Sequence, residues 1–479
     1  MSKREKFETP TEIILKNQMI INDIRQKNQD RYEISNKKEK YYILTYGCQM
    51  NEHDSEKLIS MLNDMNFEAT DRKEKADLII FNTCCVRENA ELKVLGNIGS
   101  LKLLKGKNPD LRIVVCGCMM QQPHIVKEIK KKYNYVSLVF GTHNLHNFPY
   151  LLSQTYGASN TLVEVWNEEG AVIEGLPIAR TSNMKAFVNI MYGCNNFCTY
   201  CIVPHTRGRE RSRTPDAIID EIKNLVRDGV KEITLLGQNV NSYGKTLDTP
   251  VSFPNLMRMV SDIEGLKRIR FMTSHPKDIS EELLEVMAER DNICNYLHLP
   301  VQSGSNRLLK AMNRHYTKEQ YLQTIQKSRA LMPDISLSTD LIIGFPGETE
   351  DDVNQTLALI REVKFDSAFT YIYSLRKGTP AADLEEHLSE ADKHESFVKM
   401  LAVLNPIINE KNKSLLGQTL EVLVESYSKT NDQILSGRSQ YNHLVNFSGD
   451  ETLIGKMVKV KIDDPRNFSL SGTFLEVVE

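Results

Sequence analysis

The 479-residue chain carries 60 Lys+Arg against 63 Asp+Glu, with 41% hydrophobic and 26% charged residues. That apolar content excludes a disordered chain, the length suggests about three domains, and a net charge of −3 excludes an overall polycation, so nucleic acid could be met only by local patches. Apolar runs such as Leu111–Val115 are too short to cross a bilayer, and Met1–Lys6 lacks the apolar stretch of a signal peptide. The expectation is a cytoplasmic protein with no membrane partner.

Residues 1–40 hold ten basic and seven acidic residues and one weakly amphipathic stretch, Glu12–Ile24, and read as a flexible, loosely docked extension. From Tyr41, short β-rich runs alternate with helical periodicity. Tyr41–Tyr46, Asp77–Phe81, Leu111–Val115 and Ser137–Phe140 read as strands, which predicts a parallel α/β sheet domain over residues 41–150. Residues 151–182 are a linker, with short strands expected within Tyr156–Arg180. A second alternation occupies residues 183–413. Its six strands are Ala186–Met191, Glu232–Leu236, Arg268–Met272, Tyr296–Leu299, Ser336–Ile343 and Ala368–Tyr373, with helices such as Pro215–Arg227, Glu282–Ala288 and Lys318–Leu331 between them. This pattern predicts a partial (βα)6 barrel whose chemistry lies at the strand C-termini. After a helix predicted over Glu386–Lys413, Thr419–Ser426, His443–Phe447 and Met457–Ile462 alternate apolar and polar residues between Gly437, Gly449 and Gly455. Residues 414–479 therefore read as a small antiparallel β-barrel.

Eight of the nine cysteines are grouped and Cys294 stands apart; thiols that bind metal or do chemistry in a reducing cytosol are often clustered so. In Gly193-Cys194-Asn-Asn-Phe-Cys198-Thr-Tyr-Cys201, directly after the first strand of the second alternation, three thiolates from one loop suit a 4Fe–4S cluster with one open iron. An open iron can chelate the amino and carboxylate groups of S-adenosylmethionine. The alternative is a structural zinc with His205 as fourth ligand, and hence a non-catalytic, zinc-containing RNA-binding protein. Gly237-Gln238-Asn239, Gln302-Ser303 and Asp340 to Gly344 end later strands, where exposed backbone and polar groups would suit the same cofactor. Cys48, Cys84 and Cys118 each lie just past a strand of the first domain. Strand ends of a parallel sheet share one edge, so three thiolates distant in sequence can converge there on a second cluster. Cys116 and Cys294 suit buried structural roles.

The segment Gly193 to Arg213, with Gly47-Cys-Gln-Met-Asn51 and Asn82-Thr-Cys84, resembles the radical S-adenosylmethionine methylthiotransferases. The resemblance runs from residue 41 to the end and is greatest to the bacterial branch acting on N6-dimethylallyladenosine of tRNA. It implies a methylthiotransferase domain, a radical S-adenosylmethionine core and a C-terminal TRAM domain. Cys194, Cys198 and Cys201 would hold the radical-generating cluster, and Cys48, Cys84 and Cys118 the auxiliary one; Cys85 and Cys116 sit beside family ligands but match none. The implied transferase reaction turns S-adenosylmethionine into a 5′-deoxyadenosyl radical and installs a methylthio group on C2 of the adenine, giving 2-methylthio-N6-dimethylallyladenosine. An electron donor such as flavodoxin or ferredoxin is expected, and no catalytic residue is assigned beyond the cluster ligands.

Arg207, Arg209, Arg211 and Arg213 follow the cluster loop within seven residues and could hold tRNA phosphates; alternatively some fix the loop or meet the cofactor carboxylate. The TRAM-like region holds seven basic and nine acidic residues from Lys413 onward, so RNA contact there would need a local face such as Lys456, Lys459, Lys461 and Arg466. Family branches take isopentenylated adenosine 3′ of the anticodon, threonylcarbamoylated adenosine, or a ribosomal-protein aspartate. Tyr373 to Ala382 and the cluster loop favour the first, although Leu375 and Lys377 stand where that branch more usually has proline.

Overall fold

The computed structural model describes residues 10–85, 88–158, 160–168, 170, 172–180, 182–385 and 388–478. The chain divides into two compact units. One comprises residues 1–181, 191–195 and 201–217; the other comprises residues 182–190, 196–200 and 218–479.

The first unit is built on a six-stranded parallel sheet of β1 (Lys40–Thr45), β2 (Glu68–Ala69), β3 (Leu78–Thr83), β4 (Arg112–Gly117), β5 (Leu138–Phe140) and β6 (Leu162–Glu164), in the order β2-β1-β3-β4-β5-β6. Successive residues of β3 and β4 feed two cores on opposite faces. Ile79, Phe81, Ile113 and Val115 enter one, while Leu78, Ile80, Val114 and Cys116 enter the other. A parallel sheet covered on both faces needs such unbroken apolar strands, which is why these runs stand out in the sequence. The edge strands β2 and β6 escape that reading because neither buries a face fully. Strand β6, expected in a linker, joins this sheet.

Residues 10–35 differ from the expected flexible extension. They form one helix, Pro10–Ser35, whose Ile21 and Ile24 are buried in the same core as Leu58, Met61 and Leu62. Asn17 donates to the His146 carbonyl (2.6 Å) and Asn28 to that of Met65 (2.9 Å). Two apolar residues and two amides one helical face apart are enough to dock a helix that its weak amphipathicity hides. Residues 1–9 lie outside the described set.

In the second unit β7 (Lys185–Asn189), β10 (Glu232–Leu236), β11 (Arg268–Phe271), β12 (Tyr296–His298), β13 (Ser336–Ile343) and β14 (Ser367–Ile372) form two three-stranded parallel sheets. A bridge from Ile269 to Ile293 links β11 to the segment leading into β12, making a six-stranded arc. This is the expected partial (βα)6 barrel. The short pair β8 (Met191–Tyr192) and β9 (Arg211–Ser212) belongs to the first unit. The helix expected from Glu386 runs over Glu390–Lys413, and Glu386 is outside the described residues.

The C-terminal strands β15 (Thr419–Ser428), β16 (Asn431–Ser439), β17 (Leu444–Ser448), β18 (Met457–Pro465) and β19 (Leu470–Val477) close into a barrel in the order β15-β16-β17-β19-β18. It is mixed rather than antiparallel, because β17 pairs parallel with β19. The missed parallel pairing joins non-successive strands, which local alternation cannot reveal. The barrel is fixed to β10 and β11 by buried charges. Arg268 donates to the carbonyls of Arg438 (2.8 Å) and Glu421 (3.0 Å), and Arg270 to those of Ser439 (2.7 Å) and Gln440 (3.2 Å). Glu232 lies 3.1 Å from Arg270 and 4.0 Å from Arg268. Among the described residues no helix is long and apolar enough to cross a membrane.

Candidate active site

The thiols of the first unit end neighbouring strands. Cys48 follows β1 and is the N-cap of helix Gln49–Asp64, Cys84 follows β3, and Cys118 follows β4. Since β3 lies between β1 and β4, the three strand ends are adjacent, about 4.8 Å apart strand to strand. Gly47 holds two of them close: a Cβ on it would lie 2.6 Å from Cys84 Cβ and 2.8 Å from its Sγ. Asn51 knits the edge together. Its Nδ2 donates to the carbonyls of Tyr46 (2.8 Å) and Thr83 (3.0 Å), while Asn82 Nδ2 donates to the Asn51 carbonyl (2.8 Å).

One of the three thiols, Cys118, is shifted toward the thiolate that a metal ligand must be. The Cys85 thiol donates to Cys118 and the Arg207 guanidinium lies against it, and together they overcome burial to bring Cys118 down to about 6. Giving that hydrogen bond, and its own burial, push Cys85 well up, so it stays a thiol. Cys48 is open to solvent at its surface, yet the protein around it raises its thiol against the pull of Arg207. A thiolate at Cys118, a cap thiol at a helix N-terminus and a third thiol on the strand between them fit iron–sulfur ligation in donor type and position. The cage is not closed, since no three His, Cys, Asp or Glu side chains among the described residues stand in ion-holding geometry. Cys116 and Cys294 are buried, and burial raises both thiols, Cys294 to about 11.

The arginines distribute differently from a phosphate clamp. Arg207 is 6% exposed, bonding Asp54 (2.8 Å), Asn51 Oδ1 (2.6 Å) and Cys118 Sγ (3.1 Å). Arg213 is buried against Glu174 (2.7 Å). Arg211 donates to the carbonyls of Gly170 (2.6 Å) and Arg207 (3.1 Å). These three bond within the protein, in line with the loop-fixing alternative, and Arg209 is the exposed one of the four. A dense arginine run in sequence does not distinguish the two uses, because the buried Asp54 and the half-buried Glu174 that absorb the charge lie far away in the chain. Lys57 is also buried, donating to Tyr192 Oη (3.1 Å), and with Asp54, Arg207 and Arg211 it borders a cavity of about 70 Å³.

Of the CxxxCxxC loop, Cys194 and Cys201 belong to the first unit and Cys198 to the second. Gly193 is at φ +76°, where an added Cβ would fall 2.0 Å from the Arg209 carbonyl oxygen, and Cys194 N donates to Gly208 O (3.1 Å). Asn195 and Glu210 exchange backbone-to-side-chain bonds of 3.3 Å. Cys198 Sγ accepts from the buried Arg314 (3.3 Å), which also bonds the Pro300 carbonyl (2.7 Å) and Tyr316 (3.2 Å). Nothing in the sequence singles out Arg314, which sits in an unremarkable turn. The neighbouring His275 is brought down to about 2 by its own burial and then by the Arg314 charge, leaving a neutral ring with Nε2 buried and unbonded.

Among the expected cofactor residues, Asn239 fits best. It is 1% exposed, donates Nδ2 to Asp278 (2.8 Å) and leaves Oδ1 buried without a donor, as a ligand ammonium would require. Gly237 accepts from the Thr273 hydroxyl, and Gln238 is half-buried beside it. Gln302 takes φ +71° and pairs its backbone with Asp340 and Ile342. Ser303 is fully buried, where its hydroxyl accepts from Ser305 N (3.1 Å) and lies 3.4 Å from the Thr356 hydroxyl. Asp340 lies within β13, whose bounds are those expected, and faces His298 (3.6 Å).

Gly344 N donates to Glu348 Oε2 (2.5 Å), and burial raises the Glu348 carboxyl to about 7. The folded chain thus keeps a proton that the unfolded chain loses above about 4.5. This costs stability progressively from pH ~4.5 to ~7 and fully above it, on the order of 3 kcal/mol at most. E348Q should raise the urea midpoint at pH 8 and lose that advantage by pH 5; equal midpoints at both pH values would refute the raised carboxyl.

Three family descriptions match the chain: the Radical SAM superfamily over residues 188–360, the uncharacterized protein family UPF0004 over 40–141, and the TRAM domain over 413–475. The chain is 57% identical over 473 residues (98% of it, 99% of the relative) to the tRNA-2-methylthio-N(6)-dimethylallyladenosine synthase of Clostridioides difficile strain 630. It is 51% identical over 472 residues (98% of each) to the protein so named in Acetivibrio thermocellus. Among solved structures, the radical S-adenosylmethionine methyltransferase TsrM of Kitasatospora setae, with cobalamin and a [4Fe-4S] cluster bound, shares the fold at TM-score 0.52, 15% identity, and 72% and 77% coverage of the two chains. With its strand-end thiols, its CxxxCxxC loop and relatives matched from end to end, the chain belongs to the tRNA-2-methylthio-N(6)-dimethylallyladenosine synthase family of the radical SAM superfamily.

Proposed function

We propose that the chain methylthiolates C2 of N6-dimethylallyladenosine next to the anticodon of tRNA, using S-adenosylmethionine and two 4Fe–4S clusters. One cluster would be held by Cys194, Cys198 and Cys201, and the other by Cys48, Cys84 and Cys118. The carrying observation is the trio of strand-end thiols beside a buried arginine, in a chain that also has the CxxxCxxC loop. When bound, the clusters supply the electron that cleaves S-adenosylmethionine and the sulfur that is transferred. Adenine C2–H is neither acidic nor electrophilic, which is why a radical route is needed and no acid–base pair has to start it.

The residues' part is to place and shield. Asn239 offers its orphan oxygen to the cofactor ammonium, Arg207 and Asn51 set the edge that carries the auxiliary thiols, and burial around them excludes water. On the C-terminal barrel, Lys459 and Lys461 alternate with buried Val458, Val460 and Ile462, so both point outward as an RNA face needs; Arg209 is the exposed cation of the cluster loop. A small reduced electron carrier such as flavodoxin or ferredoxin serves as donor in a cytoplasmic reaction. Mass spectrometry of tRNA nucleosides tests the substrate. A strain lacking the gene should accumulate N6-dimethylallyladenosine and lose its 2-methylthio form, with the chain restoring it; an unchanged methylthio nucleoside would sink the reading.

A further inference from the structure

We propose that Arg207 is a positioning residue for the auxiliary centre, a buried cation that bonds the Cys118 sulfur, ties all three ligand loops together and sets the reduction potential of the group held there. This rests on the reading that Cys48, Cys84 and Cys118 hold a cluster.

Arg207 spends its guanidinium on three partners inside the first unit: Nε on Cys118 Sγ (3.1 Å), Nη1 on Asp54 (2.8 Å) and Nη2 on Asn51 Oδ1 (2.6 Å). Both ions of the Asp54 pair are under 9% exposed, so neither can be left alone without a large penalty. Asn51 passes the connection on. While its oxygen accepts from Arg207, its amide nitrogen donates to the carbonyls of Tyr46 and Thr83, the first two residues ahead of Cys48 and the second directly preceding Cys84. One network therefore reaches the β1, β3 and β4 ends, and it starts from a residue six places beyond Cys201 in the segment that carries the other thiols.

A sulfur bound to iron keeps lone pairs, so the Nε–H bond persists on ligation. Hydrogen bonds to ligating sulfurs, above all from a cation, favour the more negative, reduced state. The planar fork is what reaches three acceptors at once; a lysine could keep the charge but not the geometry.

The test uses the full chain with Cys194, Cys198 and Cys201 replaced by alanine, so that iron and electron paramagnetic resonance report the auxiliary centre alone. R207K and R207M are then reconstituted anaerobically and titrated with reductant. The expected result is a more negative midpoint potential in both, larger in R207M, with a changed signal from the reduced cluster. If R207M fails to fold or hold iron, R207K decides. Iron retained with potential and signal unchanged in R207K would overturn the role of Arg207. Absence of iron from the parent triple variant, with Arg207 intact, would instead overturn the ligand assignment beneath it.

Discussion

Replacing Cys194, Cys198 and Cys201 together by alanine is expected to cut the iron of the reconstituted chain from about eight to about four atoms and to abolish cleavage of S-adenosylmethionine. All three thiols come from one nine-residue segment, so no ligand remains on that loop to hold a partial cluster, and the backbone there has little freedom to recruit another. Gly193 is clamped against Arg209, and Asn195 and Glu210 bind each other reciprocally. The complementary triple C48A/C84A/C118A should also retain about four irons, yet keep cofactor cleavage while losing the methylthiolated nucleoside. Iron analysis with assay of 5′-deoxyadenosine separates the two. Loss of all iron from the first variant would mean that the sites are not independent, and the two-cluster reading would fall.

The cysteine spacing and the strand runs were readable because each is a local pattern. Three residues at intervals of four and three point to one metal site, and continuous apolar runs such as Leu78–Phe81 name a strand covered on both faces. What was not readable is what distance in sequence conceals. Asp54 lies 153 positions before Arg207 and Glu174 39 before Arg213, and without these partners a basic run reads as a phosphate clamp. Likewise, the docked Pro10–Ser35 helix depends on Ile21 and Ile24 finding a core made by residues 58 to 152. The parallel closure of β17 on β19 joins strands separated by β18. In each case a partner distant in the chain supplies the meaning, and sequence periodicity carries no information about it.

The second large effect is expected where the C-terminal barrel meets the (βα)6 arc. Glu232 opens β10 directly beside Arg268 of β11, and both are almost fully buried. Arg270, two residues on and facing the same way, is the closer counter-ion of Glu232 at 3.1 Å and also bonds the Ser439 and Gln440 carbonyls. R270M removes the charge beside Oε1 and two carbonyl donors at once, leaving Glu232 only Arg268, 4.0 Å from an Oε2 that has no hydrogen-bond donor even in the intact protein. Breaking one side of a buried pair in this way costs about 3–5 kcal/mol. The double variant E232Q/R270M should recover part of that loss, because the stranded carboxylate is gone, while the Gln440 carbonyl still lacks its Arg270 donor and the Ser439 carbonyl keeps the Asn442 amide. Chemical denaturation gives the size of the effect. Limited proteolysis gives its place, with cleavage expected first between the helix ending at Lys413 and the barrel strands. A loss under 1 kcal/mol in R270M, or no recovery in the double variant, would mean that the barrel is held by its apolar contacts and that these charges contribute little. If the expected order holds, the C-terminal barrel is anchored to the (βα)6 arc by Glu232, Arg268 and Arg270, and with the proposed RNA face on that barrel tRNA affinity should fall in step with the loss of stability.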